Sequence, residues 1–284
     1  MNIPVTYMSG AGNLFTVIDN RELKLENEDG IKLAPILCNL NDYNSYNTEG
    51  LMFLNSGEHG YSFQCDFFNP DGSTGMMCGN GGRAISRFAQ LHGISIDKIV
   101  KFQMAGDVYK VKTNNNNIQL FLPKPSQKPK KKKLVINDIE YKCYYSNTGT
   151  HHLVINYFKF WESDFFKFDI NELAKGFRHH EDFKPHGVNV NFYFIKNGVI
   201  HLRTFEKGVE LETGACGTGA ISTALTAYKK DDLQFPISVI PPSGEELIID
   251  IDGSYDKIKK VILEGPAKVI GQADIRIPDK LLIQ

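Results

Sequence analysis

The sequence lacks both a strong net charge and a long apolar run. Its 284 residues carry 32 Lys and Arg against 33 Asp and Glu, a formal net charge of -1, so no overall field attracts nucleic acid or a membrane surface. No stretch approaches the ~20 apolar residues of a spanning helix. The first residues, MNIPVTYMSGAGN, do not join a charged leader to an apolar core. We expect a cytoplasmic protein whose partner is a small molecule.

Cysteine is also scarce. There are five cysteines, an odd number at irregular intervals, and none forms a CxxC pair. This pattern disfavours both a disulfide framework and a zinc cluster. We therefore expect free thiols and no metal site.

The length is enough for two domains, each with its own core. The clearest break is PKPSQKPKKKK at residues 123–133. No aromatic residue interrupts this basic run, which predicts a solvated linker in preference to a segment that contacts nucleic acid or acidic lipid. We expect one domain at 1–122, completed by 272–284, and a second at 123–271.

The two halves have similar patterns of strands and helices. In YSFQCDFF, residues 61–68, apolar and polar residues alternate as in a half-buried strand. Residues 83–92 have helical spacing and end before Gly93. Further strands are predicted at LFTVID, KIVKFQMAG, VYKVKTNNNNIQLFL, VNVNFYFI and VIHLRTFE, and helices at INELAKGF and residues 217–228.

A weak internal repeat relates the halves. GNLFTVID begins at Gly12 and GTHHLVIN at Gly149, 137 residues later, with matching residues at equal offsets. Cys78 and Cys216 lie 138 residues apart, and each precedes Gly-x-Gly and a helix that contains Ala-Ile-Ser. Two matches whose separations differ by only one residue indicate a duplicated unit. A duplicated fold is expected to bring its two copies of a site face to face across a cleft.

Each of these cysteines is placed for acid–base chemistry. A thiol at a helix start lies at the positive end of the helix dipole, which lowers its pKa from about 8.5 toward neutrality. The glycines that follow leave backbone N–H groups open to a carboxylate. Two such sites suit removal of a proton beside a carboxylate and its return on the opposite face. A single buried cysteine is more often a packing residue, and a redox pair is an alternative, although redox motifs usually sit close in sequence.

The two cysteine segments, MCGNGGRA and ETGACGTGA, resemble the signature segments of the diaminopimelate epimerase family, and SGAGNLFTVID, TGTHHLVI and GVNVNF extend the resemblance over nearly the whole chain. The resemblance implies two pseudo-symmetric α/β domains, each a mixed sheet wrapped around a central helix, with the active site between them. It also implies a homodimer, no cofactor, and conversion of LL- to meso-diaminopimelate.

The resemblance assigns roles to individual residues. Cys78 and Cys216 are the acid–base thiols, and His152 lies near them. The implied substrate-binding residues are Asn13, Asn69, Gly79, Asn80, Thr150, Asn189, Glu206, Lys207, Gly217 and Thr218.

Three positions depart from the family pattern. Lys207 stands where an arginine usually grips the distal carboxylate, and lysine offers a point charge in place of a planar fork. Thr150 stands where asparagine is frequent, and Leu14 where aspartate is frequent. These departures leave open a related racemase or isomerase for another acid, including the proline-racemase and phenazine-biosynthesis-like branches. The phenazine-biosynthesis-like branch usually lacks the cysteine pair, so Cys78 and Cys216 count against it. The alternative from a different class is a thiol–disulfide switch protein without turnover.

Overall fold

The protein consists of two compact units in the computed structural model, which describes residues 2–41, 44–75 and 77–277. The N-terminal unit comprises the described residues of Met1–Phe121 and Gly265–Gln284, and the C-terminal unit is Leu122–Glu264. The chain returns to the first unit at Gly265, earlier than the residue 272 expected from the sequence, because Ala267 already pairs with Gly10. Residues 278–284 of the expected returning segment lie outside the described residues.

The N-terminal unit is built of strands with three helices between them. The elements are β1 (Asn2–Gly10), β2 (Asn13–Asp19), α1 (Asn20–Leu23), α2 (Asn27–Leu37), β3 (Leu51–Ser56), β4 (Phe63–Phe68), α3 (Gly79–Leu91), β5 (Val100–Met104), β6 (Asp107–Asn114) and β7 (Asn117–Pro123).

The C-terminal unit has the same alternation. Its elements are β8 (Gln127–Ile136), β9 (Ile139–Asn147), β10 (His151–Asn156), α4 (Ile170–Arg178), β11 (Asn189–Lys196), β12 (Val199–Glu206), β13 (Leu211–Glu212), α5 (Gly217–Lys230), β14 (Ile237–Ile240), β15 (Leu247–Asp252) and β16 (Lys260–Arg276), whose last residues pair in the N-terminal unit, with short 3-10 helices at Tyr157–Lys159, Glu181–Phe183 and Tyr255–Lys257.

Strand directions confirm the duplication. From β16 through β1 to β7, the successive pairs are antiparallel twice, parallel, antiparallel, parallel, and antiparallel twice. From β8 through β12, β14 and β15 to β16, the succession is the same. In the N-terminal unit the two parallel pairs lie on either side of the β3–β4 pair, which precedes α3. In the C-terminal unit they lie on either side of the β11–β12 pair, which precedes α5. Each of these helices begins directly after a cysteine. The two-domain mixed α/β fold predicted from the sequence is therefore confirmed.

Each sheet surrounds one buried helix. In α3 and α5 most residues are buried, and both helices are rich in Gly, Ala, Ser and Thr. Small side chains let the strands approach, and hydroxyls bond carbonyls one turn back, as Ser86 does with Gly82 and Thr223 with Gly219. None of the helices within the described ranges is long and apolar enough to cross a membrane.

A second helix covers the outer face of each sheet. Leu33 and Leu37 of α2 pack on a mostly aliphatic core, whereas Ile170 and Phe177 of α4 pack on a core rich in aromatic rings. Helix α2 was not predicted from the sequence, and it contains Pro35.

The lysine-rich segment is a strand, so the predicted linker at 123–133 is wrong. Residues from Lys130 onward pair with β9, and Pro129 and Leu134 are buried. The strand lies at the free edge of the C-terminal sheet. Lysines are favoured on such an edge because their charge prevents pairing with another chain. The composition reflected an edge position and not disorder.

Candidate active site

The first cysteine motif begins the central helix of the N-terminal unit. Cys78 is the N-cap residue of α3 with an extended backbone, and its Sγ accepts the N–H of Gly81 at 3.1 Å. The thiol is half-buried. A backbone donor and the positive end of the helix dipole both stabilise negative charge on sulfur. The helix start predicted after this cysteine is confirmed.

Other predicted residues of this unit lie around the start of α3. Gly79 and Asn80 are its first two residues, and Asn80 Oδ1 accepts an N–H of Arg83 at 2.8 Å. Asn13 pairs with Gly10 across β1 and β2, and a Cβ on Gly10 would lie 2.3 Å from the carbonyl oxygen of Asn80. This close approach brings Asn13 near the helix start.

Two side chains of this unit are held by local bonds. Asn13 Nδ2 donates to Glu49 Oε2 at 2.7 Å. Asn69 lies in the turn after β4, where its Nδ2 donates to Ser73 Oγ at 2.9 Å. Glu49, which fixes the amide of Asn13, was not identified from the sequence.

The second cysteine motif begins the central helix of the C-terminal unit, but its thiol differs. Cys216 is the N-cap of α5, is 8% exposed and lies 3.6 Å from Thr218 Oγ1. Burial, and then the negative charge of Glu206, raise the pKa of Cys216 well above its ordinary value, despite lowering contributions from Thr218 and the Gly219 N–H. The expectation of a lowered pKa is wrong for this thiol, because desolvation outweighs the helix start.

A fully buried histidine reaches the same helix start. His152 Nδ1 lies 3.1 Å from Asn191 Nδ2, and Nε2 lies 2.9 Å from Thr218 Oγ1. Burial lowers the pKa of His152 to about 3, so the ring is neutral at physiological pH. Two amide groups face the ring: Asn191 Nδ2 lies 3.1 Å from Nδ1 and Asn189 Nδ2 lies 3.5 Å from Nε2. Because the Asn191 contact is the shorter, we assign the proton to Nε2, which then donates to Thr218. The threonine hydroxyl is left free to donate toward the Cys216 sulfur.

Asn191 fixes this arrangement, and the sequence did not identify it as a site residue. Its Nδ2 also donates to the Leu153 carbonyl at 2.9 Å, and its Oδ1 accepts from Thr204 Oγ1 at 3.0 Å. The amide is therefore satisfied on both sides and its orientation is determined. Asn189 and Asn191 are two apart on β11 and share a face, which is the signal that could have found it.

The remaining predicted residues of the C-terminal unit are near the strand ends beside α5. Asn189 Oδ1 accepts the Lys207 N–H at 2.7 Å, and Glu206 Oε1 accepts from Thr213 Oγ1 at 2.6 Å. Gly217 is the first residue of α5, and Thr150 contributes a carbonyl that accepts the Thr148 N–H. The start of α5 therefore has the carboxylate of Glu206 near the Cys216 thiol and the neutral imidazole of His152 bonded to Thr218.

His151 lies on the opposite face of β10 from His152. Tyr145 and His151 Nδ1 share a 2.6 Å hydrogen bond, and their rings stack. Burial, and then the charge of Lys207, lower the pKa of His151. No role was assigned to it from the sequence.

No three His, Cys, Asp or Glu side chains in the described ranges are grouped to hold a metal ion. All five cysteines are free thiols.

The chain is similar to proteins of one family over most of its length. The sequence model of the family described as diaminopimelate epimerase matches residues 5–123. Diaminopimelate epimerase of Aquifex aeolicus is 36% identical over 91% of this chain and 92% of its own length. The protein of the same name from Chlorobaculum tepidum is 31% identical over 95% of this chain and 100% of its own.

Solved structures show the same fold at low sequence identity. A phenazine biosynthesis protein of the PhzF family from Bacillus anthracis is 14% identical, with a TM-score of 0.70 over 98% of this chain and 100% of that one. A probable proline racemase from Agrobacterium radiobacter is 12% identical, with a TM-score of 0.65 over 97% and 93% of the chains. These neighbours establish the fold, and the identity to the Aquifex aeolicus protein establishes the family: the chain belongs to the diaminopimelate epimerases.

Proposed function

We propose that this protein is an isomerase that converts LL-2,6-diaminopimelate to the meso form without a cofactor. The observation that carries the proposal is the 36% identity to a diaminopimelate epimerase over 91% of the chain. The two cysteines at helix starts support it, since they supply the acid and base that the reaction needs. The product serves lysine and peptidoglycan synthesis.

In the proposed mechanism the thiols exchange one proton each with the substrate carbon. The Cys78 thiolate removes the α-proton, and the electron pair of the broken C–H bond moves onto the carboxylate. The Cys216 thiol then gives its proton to the opposite face of the carbon. Cys78 finishes as a thiol and Cys216 as a thiolate, so the reverse reaction uses the exchanged roles. The raised pKa of Cys216 supports its start as the acid.

The helix starts stabilise the charge that develops on the carboxylate. Backbone N–H groups of Gly79 and Asn80, and of Gly217 and Thr218, are the proposed donors. We assign His152 to support the thiols: its neutral imidazole donates to Thr218 and thereby leaves the threonine hydroxyl to the sulfur.

The rest of the substrate is assigned to polar groups near these helix starts. Asn13, Asn69 and Asn189 bind its amino and carboxylate groups, with Thr150 beside them. Glu206 holds the ammonium of the reacting centre, and Lys207 the distal carboxylate. Asn189 Oδ1 accepts the backbone N–H of Lys207 at 2.7 Å, which places the lysine backbone beside Asn189.

We also propose that the enzyme acts in the cytoplasm as a homodimer. A reducing compartment suits a mechanism that depends on two free thiols. Size-exclusion chromatography with light scattering measures the mass in solution, and a mass of one chain at working concentration contradicts the dimer.

The direct test follows the α-proton of the substrate. We expect reduced protein incubated with LL-diaminopimelate in heavy water, without added cofactor, to incorporate deuterium at the α-carbon and form the meso isomer, as followed by NMR. Cys78→Ala and Cys216→Ala should each abolish epimerisation. The matched control is Cys143→Ala, which removes a buried thiol of the core packed under α4 and should keep the activity. Product formation by either active-site variant contradicts the two-thiol mechanism.

Specificity is tested separately because Lys207 and Thr150 depart from the family pattern. Absence of exchange with diaminopimelate, together with exchange on another amino acid, identifies a related racemase. Absence of exchange with every amino acid of a panel favours a protein that uses its thiols only as a redox switch.

A further inference from the structure

A lysine-lined groove lies at the end of α5 remote from Cys216. Its volume is about 810 Å³, and lysines reach it from β8, β9, the turn after β10 and the helix end. Six lysines line it: Lys131, Lys133, Lys142, Lys159 and Lys230, which we call the groove lysines, and Lys132, whose ammonium is paired with Asp182. Because a helix of 14 residues is about 21 Å long, the groove is separate from the helix start that carries the thiol.

The strand register directs these lysines toward the helix. Ser146 of β9 bonds Ser222 of α5 at 2.6 Å, so alternate residues of β9, including Tyr144 and Lys142, face α5. Lys133 lies directly opposite Lys142, on that same face. Like charges directly opposite each other in a sheet destabilise it. An anion between them would remove this cost.

The groove has more lysines than carboxylates. Lys133 pairs with Glu140 at 3.1 Å, and Lys230 with Asp231 at 3.7 Å. Lys131, Lys142 and Lys159 make no ion pair within the described part of the chain. The pKa of Lys230 is lowered, chiefly because its ammonium is buried. The charge of Asp231 opposes this shift, and the charge of Lys159 adds to it. The local excess is thus three positive charges, on a chain whose total is -1.

Protection of a sheet edge accounts for only part of this cluster. Charged edge strands deter pairing with other chains, which explains Lys130, a residue of β8 that points to the other face. It does not explain Lys142, Lys159 or Lys230, since none of them lies on the edge strand. Lys132 likewise points to the other face, where its Nζ lies 2.9 Å from Asp182.

We propose that the groove binds a polyphosphate anion of the nucleoside triphosphate class. Lysine ammonium groups are point-charge ligands for phosphate, and the groove volume is in the range of small-molecule sites. The half-buried rings of Tyr144 and Phe160 form an apolar wall beside the lysines. Lys230 Nζ lies 5.8 Å from the Tyr144 ring centre, so one ligand could contact both the ammonium group and the ring. This site goes beyond the epimerase reaction and uses none of its residues.

Isothermal titration of the full-length protein tests the site, with ATP, tripolyphosphate and adenosine as separate probes at low ionic strength. The groove variant is Lys131→Gln/Lys133→Gln/Lys142→Gln. The control variant, Lys98→Gln/Lys101→Gln/Lys130→Gln, changes the net charge equally at exposed positions outside the groove. We expect ATP and tripolyphosphate to bind, the groove variant to bind at least about tenfold more weakly, and the control to bind within about twofold of the parent.

Three results overturn the proposal: no heat from either polyphosphate at millimolar concentration, equal weakening by both variants, or adenosine binding as tightly as ATP. Equal binding of ATP and tripolyphosphate supports the phosphate site but overturns its assignment to the nucleoside triphosphate class, because the nucleoside then adds nothing to binding. Circular dichroism checks the fold, and Lys142→Gln alone is the milder variant. Epimerase activity should be unchanged in the groove variant, so failure here and failure of the epimerase proposal are separate results.

Discussion

Among single residues, the five thiols differ chiefly in their contact with solvent. Cys78 is half-buried and accepts a backbone N–H, whereas the other four are buried. Burial raises the pKa of Cys38 to about 11 and of Cys143 to about 12, and it raises the pKa of Cys65 and Cys216 as well. Since the thiolate is the reactive form, these environments separate one accessible thiol from four protected ones.

This separation predicts selective alkylation. Native protein treated briefly with iodoacetamide at pH 8 should be modified at Cys78 more than about tenfold faster than at Cys216. Peptide mass spectrometry measures both sites, and unfolded protein, in which all five thiols are exposed, is the control. Equal labelling of the two in the native protein contradicts the protected state of Cys216.

His152 should make stability depend on pH. Its pKa is about 3 in the folded protein and about 6.5 when unfolded. The unfolded chain therefore binds more protons below pH 6.5, and the contribution of the neutral ring is lost as the pH falls from 6.5 toward 3. Between pH 7.5 and 4.5 the titration of His152 should lower the free energy of unfolding by about 3 kcal/mol. Urea unfolding at both values measures it.

The matched variant for this prediction is His152→Gln. Other groups also titrate in this range, so the informative quantity is the difference in pH dependence between parent and variant. The variant should lose less unfolding free energy on acidification. An identical loss in both proteins means that His152 does not carry the effect.

At the scale of whole elements, the packing of α5 depends on a glycine that faces β11. A Cβ on Gly219 would lie 2.4 Å from Asn191 Oδ1 and 3.2 Å from Thr204 Oγ1. Both oxygens belong to buried side chains that bond each other. The helix can approach the strand this closely only because this position has no side chain.

Gly219→Ala should therefore destabilise the protein, although alanine is the better helix former. We expect a loss of about 1–3 kcal/mol, the range for overpacking a core. The comparison is Gly176→Ala in α4, where the nearest atom is a methyl group of Ile136 at 3.0 Å, and the loss should be smaller. Thermal unfolding measures both, and a more stable Gly219→Ala protein contradicts the tight approach.

At the scale of the whole molecule, each of the duplicated units carries one cysteine at the start of its central helix. If Cys78 and Cys216 act on the same carbon, mild oxidation should join them and abolish epimerisation. A reductant should restore the activity. Mass spectrometry of the unreduced digest identifies the pair. Full activity in the disulfide-linked protein is incompatible with the two-thiol mechanism.

The sequence alone determined the features that depend on neighbouring residues. Alternation in residues 61–68 predicted a strand, and β4 is found there. The glycines after Cys78 and Cys216 predicted helix starts, and both cysteines are N-caps. The repeat at 137 and 138 residues predicted the duplication seen in the strand order. Local patterns are sufficient here because helix starts and strand faces are set within a few residues.

Tertiary structure decided what depends on distant residues. The lysine-rich segment is a strand because β9 pairs with it, and no local pattern indicated that partner. The pKa of Cys216 is raised because folding buries it and brings Glu206 beside it. The position of Asn191 beside His152 became apparent only when β10 and β12 supplied its hydrogen-bond partners. Desolvation and hydrogen bonding are set by the surroundings in space, which the order of residues along the chain does not display.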